Sequence, residues 1–140
     1  PECDRLDWVD DVEAVNLNRT NELFEAQVTR AARRFPALQI PNSPSGIAGI
    51  YDVAADWTPI YDRTDLDGFY VAIGTSGNQF KNAPMVGKVM TQLISEVSGG
   101  RNHDVEPVRV RCAHTGNEIN MGAFSRKRRF NSESTGTVMG

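Results

Sequence analysis

Hydrophobic residues recur with helical spacing in an early segment of the chain. Apolar positions separated by four, three and four residues form one stripe on a helix. The members of this stripe are Phe24, Val28, Ala31 and Phe35. Thr20 can cap the first turn through its hydroxyl, and Pro36 cannot continue the helix. The pattern therefore predicts a helix over residues 20–36.

A second helical pattern follows a glycine-rich turn. Its apolar stripe consists of Met85, Val89, Leu93 and Val97. Pro84 suits a first helical turn, because the missing N–H of proline costs little there. The pair Gly99-Gly100 ends the pattern, so a helix is predicted over residues 80–98.

Other segments have the composition of strands. Residues 69–73 form an uninterrupted apolar run, typical of a central strand with neighbours on both sides. Residues 46–53 are also predicted to be a strand, and Ile60-Tyr61 is predicted to begin a short one. Residues 108–112 alternate like a half-exposed strand. The tail from Gly116 onward is rich in Gly, Ser, Thr and Asn and is predicted to be irregular. The fold class is therefore α+β.

Composition and charge exclude several classes of protein. The 140 residues suffice for a domain with a core, and 39% are hydrophobic and 24% charged, unlike a disordered chain. The net charge of −3 gives no reason to expect a nucleic-acid partner. The basic run 126–129 is interpreted as a solvated helix end or turn. No apolar stretch approaches the roughly 20 residues that a membrane-spanning helix needs.

The cysteines and histidines show no catalytic or metal-binding pattern. Cys3 and Cys112 are far apart and lie in no C-x-x-C motif, which favours a reducing, cytoplasmic location. His103 and His114 have no partners at metal-ligand spacing and are predicted to be surface or loop residues, so no metal site is expected. Because the chain begins at Pro1 without methionine, a fragment or processed product is expected.

The segment with the strongest chemical indication is the strand 69–73, the turn 74–80 and the helix that follows. The positive end of the helix and its N–H groups favour an electron-rich ligand above the turn. Gly74 and Gly77 allow the backbone to approach such a ligand closely, and Lys81 adds a charge that can hold a carboxylate. A G-x-x-G turn occurs in many α/β proteins, so spacing alone leaves a purely structural role open. It matches neither G-x-G-x-x-G nor the phosphate-binding P-loop.

Three motifs in this chain together carry a family resemblance. The segment GFYVAIGTSGNQFKNAPMVG at 68–87 resembles the carboxy-terminal signature of the D-amino-acid oxidase superfamily, especially its sarcosine oxidase and glycine oxidase-like members. The segment GIYDVAADWTPI at 49–60 is similar to the strand and turn that precede that signature. Phe124-Ser125 followed by Arg128 or Arg129 resembles the closing F-S-x-x-R-F. The resemblance covers about residues 20–130.

The resemblance implies an FAD-dependent oxidoreductase that transfers a hydride from the α-carbon of a small amine or amino acid to flavin N5, with reoxidation often by dioxygen. Lys81 matches a lysine that pairs with a substrate carboxylate, and Tyr51 matches an aromatic residue facing the substrate cavity. Asn78 replaces a histidine common near the flavin, which leaves the substrate class open. The residues implied to contact FAD are Gly74, Ser76, Gly77, Asn78, Gln79, Phe80 and Lys81. No residue is assigned a certain catalytic role.

Some residues depart from the family pattern. Gly49 stands where related enzymes attach FAD through cysteine, so non-covalent binding is expected. Ala54-Ala55 replace the usual Thr-Pro before Asp56, which removes a hydroxyl that could face the flavin. The span 99–121 is longer than in short members and is expected to form an added flap or hairpin.

The family's G-x-G-x-x-G unit, which holds the ADP half of FAD, does not occur in this sequence. The chain is therefore expected to be the C-terminal part of a two-domain flavoenzyme, inactive and nearly unable to bind FAD without the missing N-terminal FAD-binding region. Residues 1–64 are assigned to the substrate-binding layer, including a crossover helix at 20–36. Residues 65–98 complete the FAD-binding domain, and residues 99–140 form a C-terminal extension.

Self-association is expected, because the apolar strand 69–73 needs neighbours. Two other interpretations stay open. The chain could be a standalone non-enzymatic module that binds a partner protein or a small carboxylate through Lys81. It could also be a catalytic subunit whose FAD-binding half is a separate chain.

Overall fold

The computed structural model describes residues 8–134, which fall into two compact units, one up to Ile50 and one from Tyr51 onward. The acidic start of the chain through Asp7, together with Cys3, lies outside the described residues. Within 8–134, no helix is both long and apolar enough to cross a bilayer. The functional boundaries placed after residues 64 and 98 stay a prediction.

The first unit contains a short 3₁₀ helix, Val12–Ala14, and the helix α1, Asn21–Ala32. Thr20 caps α1 as predicted, because its side-chain oxygen accepts a hydrogen bond of 3.3 Å from the Leu23 N–H. The helix ends one turn before Pro36. No described residue of this unit is buried, and Phe35, the last member of the apolar stripe, is 63% exposed.

The second unit contains two antiparallel hairpins. Strand β1, Ile60–Arg63, pairs with β2, Tyr70–Ile73. Strand β3, Arg109–Arg111, pairs with β4, Glu118–Asn120. Together with the two helices they give a mixed α and β structure with two small sheets. The short strand predicted to begin at Ile60 is confirmed, and the strand predicted at 108–112 is confirmed in shortened form.

Two predictions were wrong, one of a strand and one of an irregular tail. Residues 46–53 form no strand, because the backbone of Asp52 pairs instead with a turn, accepting a 2.9 Å bond from the Ser76 N–H. The strand predicted over 69–73 is confirmed as β2; among the described residues β1 is its single neighbour and Ile73 is 48% exposed, so its central place in a larger sheet stays a prediction. The tail predicted to be irregular contains β4 and a 3₁₀ helix, Met121–Phe124.

The core of the second unit forms between the hairpins and the second helix. A 3₁₀ turn, Phe80–Asn82, leads into α2, Ala83–Ser98, which confirms the helix predicted over 80–98. α2 buries Val89 and Leu93. The buried apolar cluster consists of Tyr61, Val89, Leu93, Val108, Val110 and Met121. The sheets and helix thus share one apolar core, from which the glycine-rich turn emerges.

A buried ion pair joins two distant parts of this unit. The Asp56 carboxylate receives hydrogen bonds from Nε of Arg128 at 3.0 Å and from Nη2 at 2.7 Å. Their side chains are only 4% and 6% exposed. The same guanidinium donates to the Thr58 carbonyl at 2.7 Å. The hydrogen bonds from Arg128 hold the pKa of Asp56 below its ordinary value.

A second charge cluster surrounds Asp62, which is fully buried. Its Oδ2 accepts from the Ser125 hydroxyl at 2.9 Å and from the Arg126 N–H and Nη1 at 2.8 and 3.1 Å. Arg126 also donates to Asp104 at 2.9 Å. Arg126 and then Lys127 lower the pKa of Asp104 to about 2. The interpretation of 126–129 as a solvated basic run was therefore wrong for two of its residues. Arg126 is paired with carboxylates from other parts of the chain, and the Arg128 side chain is buried against Asp56.

His103 was predicted to be a surface or loop residue; it lies in a turn, but the surface position was wrong because the side chain is only 1% exposed. Its Nδ1 accepts a 3.0 Å hydrogen bond from the Val108 N–H. Its Nε2 is 3.5 Å from Asp62 Oδ1 and has no hydrogen-bond partner within 8–134. Burial lowers the pKa of His103 against the opposing charge of Asp62. The neutral imidazole is thus the form that the fold favours.

Replacing Arg128 by Met should destabilise the protein by about 3–5 kcal/mol, because it leaves the buried Asp56 carboxylate without its cation. The double variant Asp56→Leu/Arg128→Met should cost less than Arg128→Met alone, since no buried charge then remains. Urea denaturation measures the free energy of unfolding. The control is Arg111→Met, an exposed arginine in β3. A loss for Arg128→Met no larger than for Arg111→Met would contradict the structure.

Stability should fall as the pH drops from 7 toward 5.5. The pKa of His103 in the folded protein lies below the ordinary histidine value of 6.5, so the unfolded chain takes up a proton in this range and the folded chain does not. One such proton contributes at most about 1.4 kcal/mol per pH unit. His103→Asn, which keeps an acceptor for the Val108 N–H, should flatten the profile measured by thermal denaturation. His114→Asn changes an exposed histidine and should leave the profile as it is.

Candidate functional site

The turn between β2 and α2 has an unusual backbone. Gly74 and Gly77 adopt φ values of +70° and +74°, and Ser76 between them adopts +50°. Glycine takes left-handed conformations without strain, whereas a serine there is strained and needs support from its surroundings. Ser76 is fully buried. The turn is therefore held by contacts rather than by its own preference.

Residues 51–54 lie along this turn and supply those contacts. A Cβ added at Gly74 would come within 3.1 Å of the Ala54 Cβ. A Cβ added at Gly77 would come within 3.1 Å of the Tyr51 ring. The sequence suggested that these glycines make room for a ligand. In the structure they make room for residues 51–54.

Asp52 satisfies the amides of the first half of the turn. Its Oδ2 accepts hydrogen bonds from the N–H groups of Gly74 and Thr75, the latter at 3.1 Å, and its Oδ1 accepts from the Thr75 hydroxyl at 2.6 Å. Its backbone carbonyl accepts from the Ser76 N–H at 2.9 Å. Burial alone would raise the pKa of Asp52, but the hydrogen bonds from Thr75 and Gly74 outweigh burial and lower the pKa.

In the second half of the turn, most backbone N–H groups are unpaired. Within the described residues, the N–H groups of Gly77, Gln79, Phe80 and Lys81 make no hydrogen bond. The Asn78 N–H, by contrast, bonds to the Thr75 carbonyl at 3.2 Å. The free donors precede α2 and add to the positive potential at its N-terminal end.

An open apolar cleft of about 480 Å³ adjoins three of these residues, Gly77, Gln79 and Phe80. Its lining includes Tyr61, Ala72, Thr75, Gly77, Gln79, Phe80 and Val86. The Tyr61 hydroxyl donates to Gln79 Oε1 at 2.9 Å, and the same oxygen accepts from the Asn82 amide at 2.9 Å. Burial raises the pKa of Tyr61, so its phenol stays protonated at neutral pH. The cleft thus combines apolar walls with an oriented polar rim.

The residues predicted to contact ligand have different surroundings. Gly74 and Ser76 are buried and use their N–H groups within the chain. Asn78 is half-buried, and its Oδ1 accepts from Gln79 Nε2 at 2.6 Å. Gly77, Gln79 and Phe80 line the cleft, and Phe80 is 97% exposed. Their contact with FAD stays a prediction.

The two residues predicted to contact substrate are also solvent-accessible. Tyr51 is 44% exposed, and its ring contacts Gly77. Lys81 is exposed, and no carboxylate among residues 8–134 lies within ion-pair distance of its ammonium group. Neither side chain lines the cleft. The ammonium group of Lys81 is therefore available to a ligand with negative charge.

Sequence reasoning missed Asp52 and Tyr61. Asp52 lies inside the motif at 49–60, but its partners are 22 and 23 residues away. Tyr61 reaches Gln79 across 18 residues. No local spacing indicates such pairs, so only the fold could reveal them.

The glycine-rich turn places unpaired backbone donors beside an apolar cleft, the combination that a planar ligand with an electron-rich edge would require. Residues 7–93 match the family model described as DAO, FAD dependent oxidoreductase. This match covers more than half of the chain, and the protein therefore belongs to the family of FAD-dependent oxidoreductases. No curated protein and no solved structure gives a significant match. The matched segment contains both the turn and residues 51–54.

Proposed function

We propose that this protein is the C-terminal part of an FAD-dependent oxidoreductase of the sarcosine oxidase and glycine oxidase-like type, with an amine or amino acid as substrate. Its residues would form one wall of the flavin and substrate pocket. The observation that carries the proposal is the set of unpaired N–H groups of Gly77, Gln79 and Phe80 beside the apolar cleft, inside the segment that matches the family.

The cleft fits the flavin ring better than the rest of FAD. An isoalloxazine ring has apolar faces and a pyrimidine edge that carries carbonyl oxygens, and the cleft has apolar walls that include Gly77 and Gln79, whose N–H groups are unpaired. The pyrophosphate has no comparable place, because the sequence contains no G-x-G-x-x-G unit. The ADP half would therefore be held by a dinucleotide-binding segment that is not part of these residues.

Bound FAD would supply the redox chemistry by accepting a hydride from the substrate. The N–H groups of Gly77 and Gln79, with the positive end of α2, would stabilise negative charge at the pyrimidine edge. Lys81 would hold the substrate carboxylate, and the Tyr51 ring would border the substrate. Gly49 has no thiol, so attachment at that position would be non-covalent.

Exposed apolar side chains support the idea that another polypeptide covers the hairpin and the turn. Phe69 is 55% exposed, Ile73 48% and Phe80 97%. Burying such side chains would contribute about 1.5–3 kcal/mol each. The covering chain would be the FAD-binding region or, in its absence, a second copy of this protein. The free thiol of Cys112 is compatible with the proposed cytoplasmic location.

The first test measures FAD binding by the 140-residue chain alone. Titration of FAD fluorescence should show no saturable quenching, and the mixture should not oxidise amines, because most contacts to the cofactor are lacking. The protein isolated from its natural source, with any accompanying polypeptide, should contain stoichiometric FAD that amino acids bleach anaerobically. Stoichiometric FAD in the isolated chain would show that the chain does not lack the main contacts to the cofactor. A natural protein without flavin would refute the proposed function.

The second test concerns Lys81. In the FAD-loaded natural protein, Lys81→Met should raise KM for an amino acid by about 10- to 100-fold, because a charge-assisted hydrogen bond to the carboxylate is lost. KM for the corresponding amine without a carboxylate should change little. Lys88→Met, in an exposed position of α2, is the matched control. Equal KM values for Lys81→Met and Lys88→Met would remove Lys81 from the substrate site.

A further inference from the structure

We propose that Asp52 is a positioning residue, whose carboxylate and carbonyl hold the turn 74–77 in the conformation that places Gly77 and Gln79, with their unpaired N–H groups, beside the cleft. The part of this proposal that concerns flavin rests on the proposed function. The part that concerns the turn does not, and it is tested separately below.

Asp52 makes four hydrogen bonds to three consecutive residues of the turn. Its side chain binds the Gly74 N–H, the Thr75 N–H and the Thr75 hydroxyl, and its carbonyl binds the Ser76 N–H. No strand or helix contains residues 74–76, so no ladder holds these amides. Asp52 takes the place of regular secondary structure at this point.

The strained residue of the turn depends on the same segment. Ser76, with a φ of +50°, receives a 3.3 Å hydrogen bond on its hydroxyl from the Ala54 N–H and donates to the Gly74 carbonyl at 3.3 Å. A left-handed non-glycine residue persists only where its surroundings enforce it. Residues 52–54 supply this enforcement through both backbone and side chain.

The conformation of the turn affects the cleft in two ways. Gly77 follows Ser76 directly, so the direction of its N–H depends on the conformation that Asp52 fixes. The Tyr51 ring also rests on Gly77, which ties the residue preceding Asp52 to the same place. If the carboxylate is lost, the turn can relax and the donors of Gly77 and Gln79 are no longer held toward the cleft. Asp52 therefore acts through the turn and touches no reacting atom.

Amide hydrogen exchange in the 140-residue chain tests the turn. Asp52→Ala should accelerate exchange at Gly74 and Thr75 by about 10- to 100-fold, the loss expected for hydrogen bonds to a charged acceptor. Asp52→Asn keeps a side-chain acceptor and should restore part of the protection. Exchange at Leu93 in the core should not change. Asp67→Ala, an exposed aspartate in the β1–β2 loop, is the matched control.

A second variant guards against a failure of Asp52→Ala to fold. Thr75→Val removes only the hydroxyl that donates to Asp52 Oδ1 at 2.6 Å. It should accelerate exchange at Thr75 by a smaller factor and leave Leu93 unchanged. Unchanged exchange at Gly74 and Thr75 in a folded Asp52→Ala, or in Thr75→Val, would overturn the positioning role whatever the function of the protein.

The FAD-loaded natural protein tests the link to flavin. Asp52→Ala should shift the visible absorbance of the bound flavin and slow its reduction by substrate, Asp52→Asn should largely restore both, and Asp67→Ala should resemble the wild type. Faster exchange without any flavin effect would keep the positioning role and refute the flavin-facing role of the turn. A natural protein without flavin would refute the proposed function and leave the exchange result standing.

Discussion

The second unit depends on neutralising two carboxylates that its fold removes from water. Asp56 and Asp62 are 4% and 0% exposed, and each is bound by an arginine from the segment 125–128. An isolated carboxylate in such an environment would cost several kcal/mol. The chain must therefore return across more than 60 residues of sequence to supply these cations. This requirement brings the closing segment back to the first hairpin.

The returning segment also completes the core. The Phe124 ring lies 5.3 Å from the Tyr61 ring, immediately before the serine and arginine that bind Asp62. Tyr61 in turn directs its hydroxyl toward Gln79 at the cleft. On the other side, Asp56 is four residues from Asp52, so anchoring Asp56 restrains the segment that holds the turn. The ion pairs are thus connected to the candidate site through Tyr61 and through the segment from Asp52 to Asp56.

Local patterns in the sequence predicted what local physics determines. The helix over 80–98 was predicted correctly because apolar spacing, an early proline and a terminal glycine pair all agree. The strand prediction for 46–53 was wrong because a composition typical of strands does not reveal that the backbone of this segment pairs with a turn. The prediction that Arg126 and Arg128 are solvated was wrong because their carboxylate partners are 64 and 72 residues away in sequence. The burial of His103 was not predicted for the same reason, since it depends on packing against elements that are distant in sequence.

The candidate site shows the same division. The motif from 68 to 87 identified the turn and the accessible Lys81, and the family match supports the class of protein. The sequence did not reveal which amides of the turn are free, because that depends on Asp52 and on the contact between Tyr51 and Gly77. A motif records residue types, whereas the distribution of hydrogen bonds depends on the segment that packs against it.

The occupied half of the turn determines which ligands the free half can accept. A phosphate bound as in a P-loop would need several consecutive amides. Here the amides of Gly74 and Thr75 bind the Asp52 carboxylate, whose negative charge would also repel a phosphate. The remaining donors suit a ligand with delocalised partial charge and a broad apolar face, because the cleft provides apolar contact and the repulsion from Asp52 is weaker for diffuse charge. In the proposed function, Asp52 would fix the turn and select against phosphate groups, so that the flavin ring rather than the pyrophosphate would occupy this site.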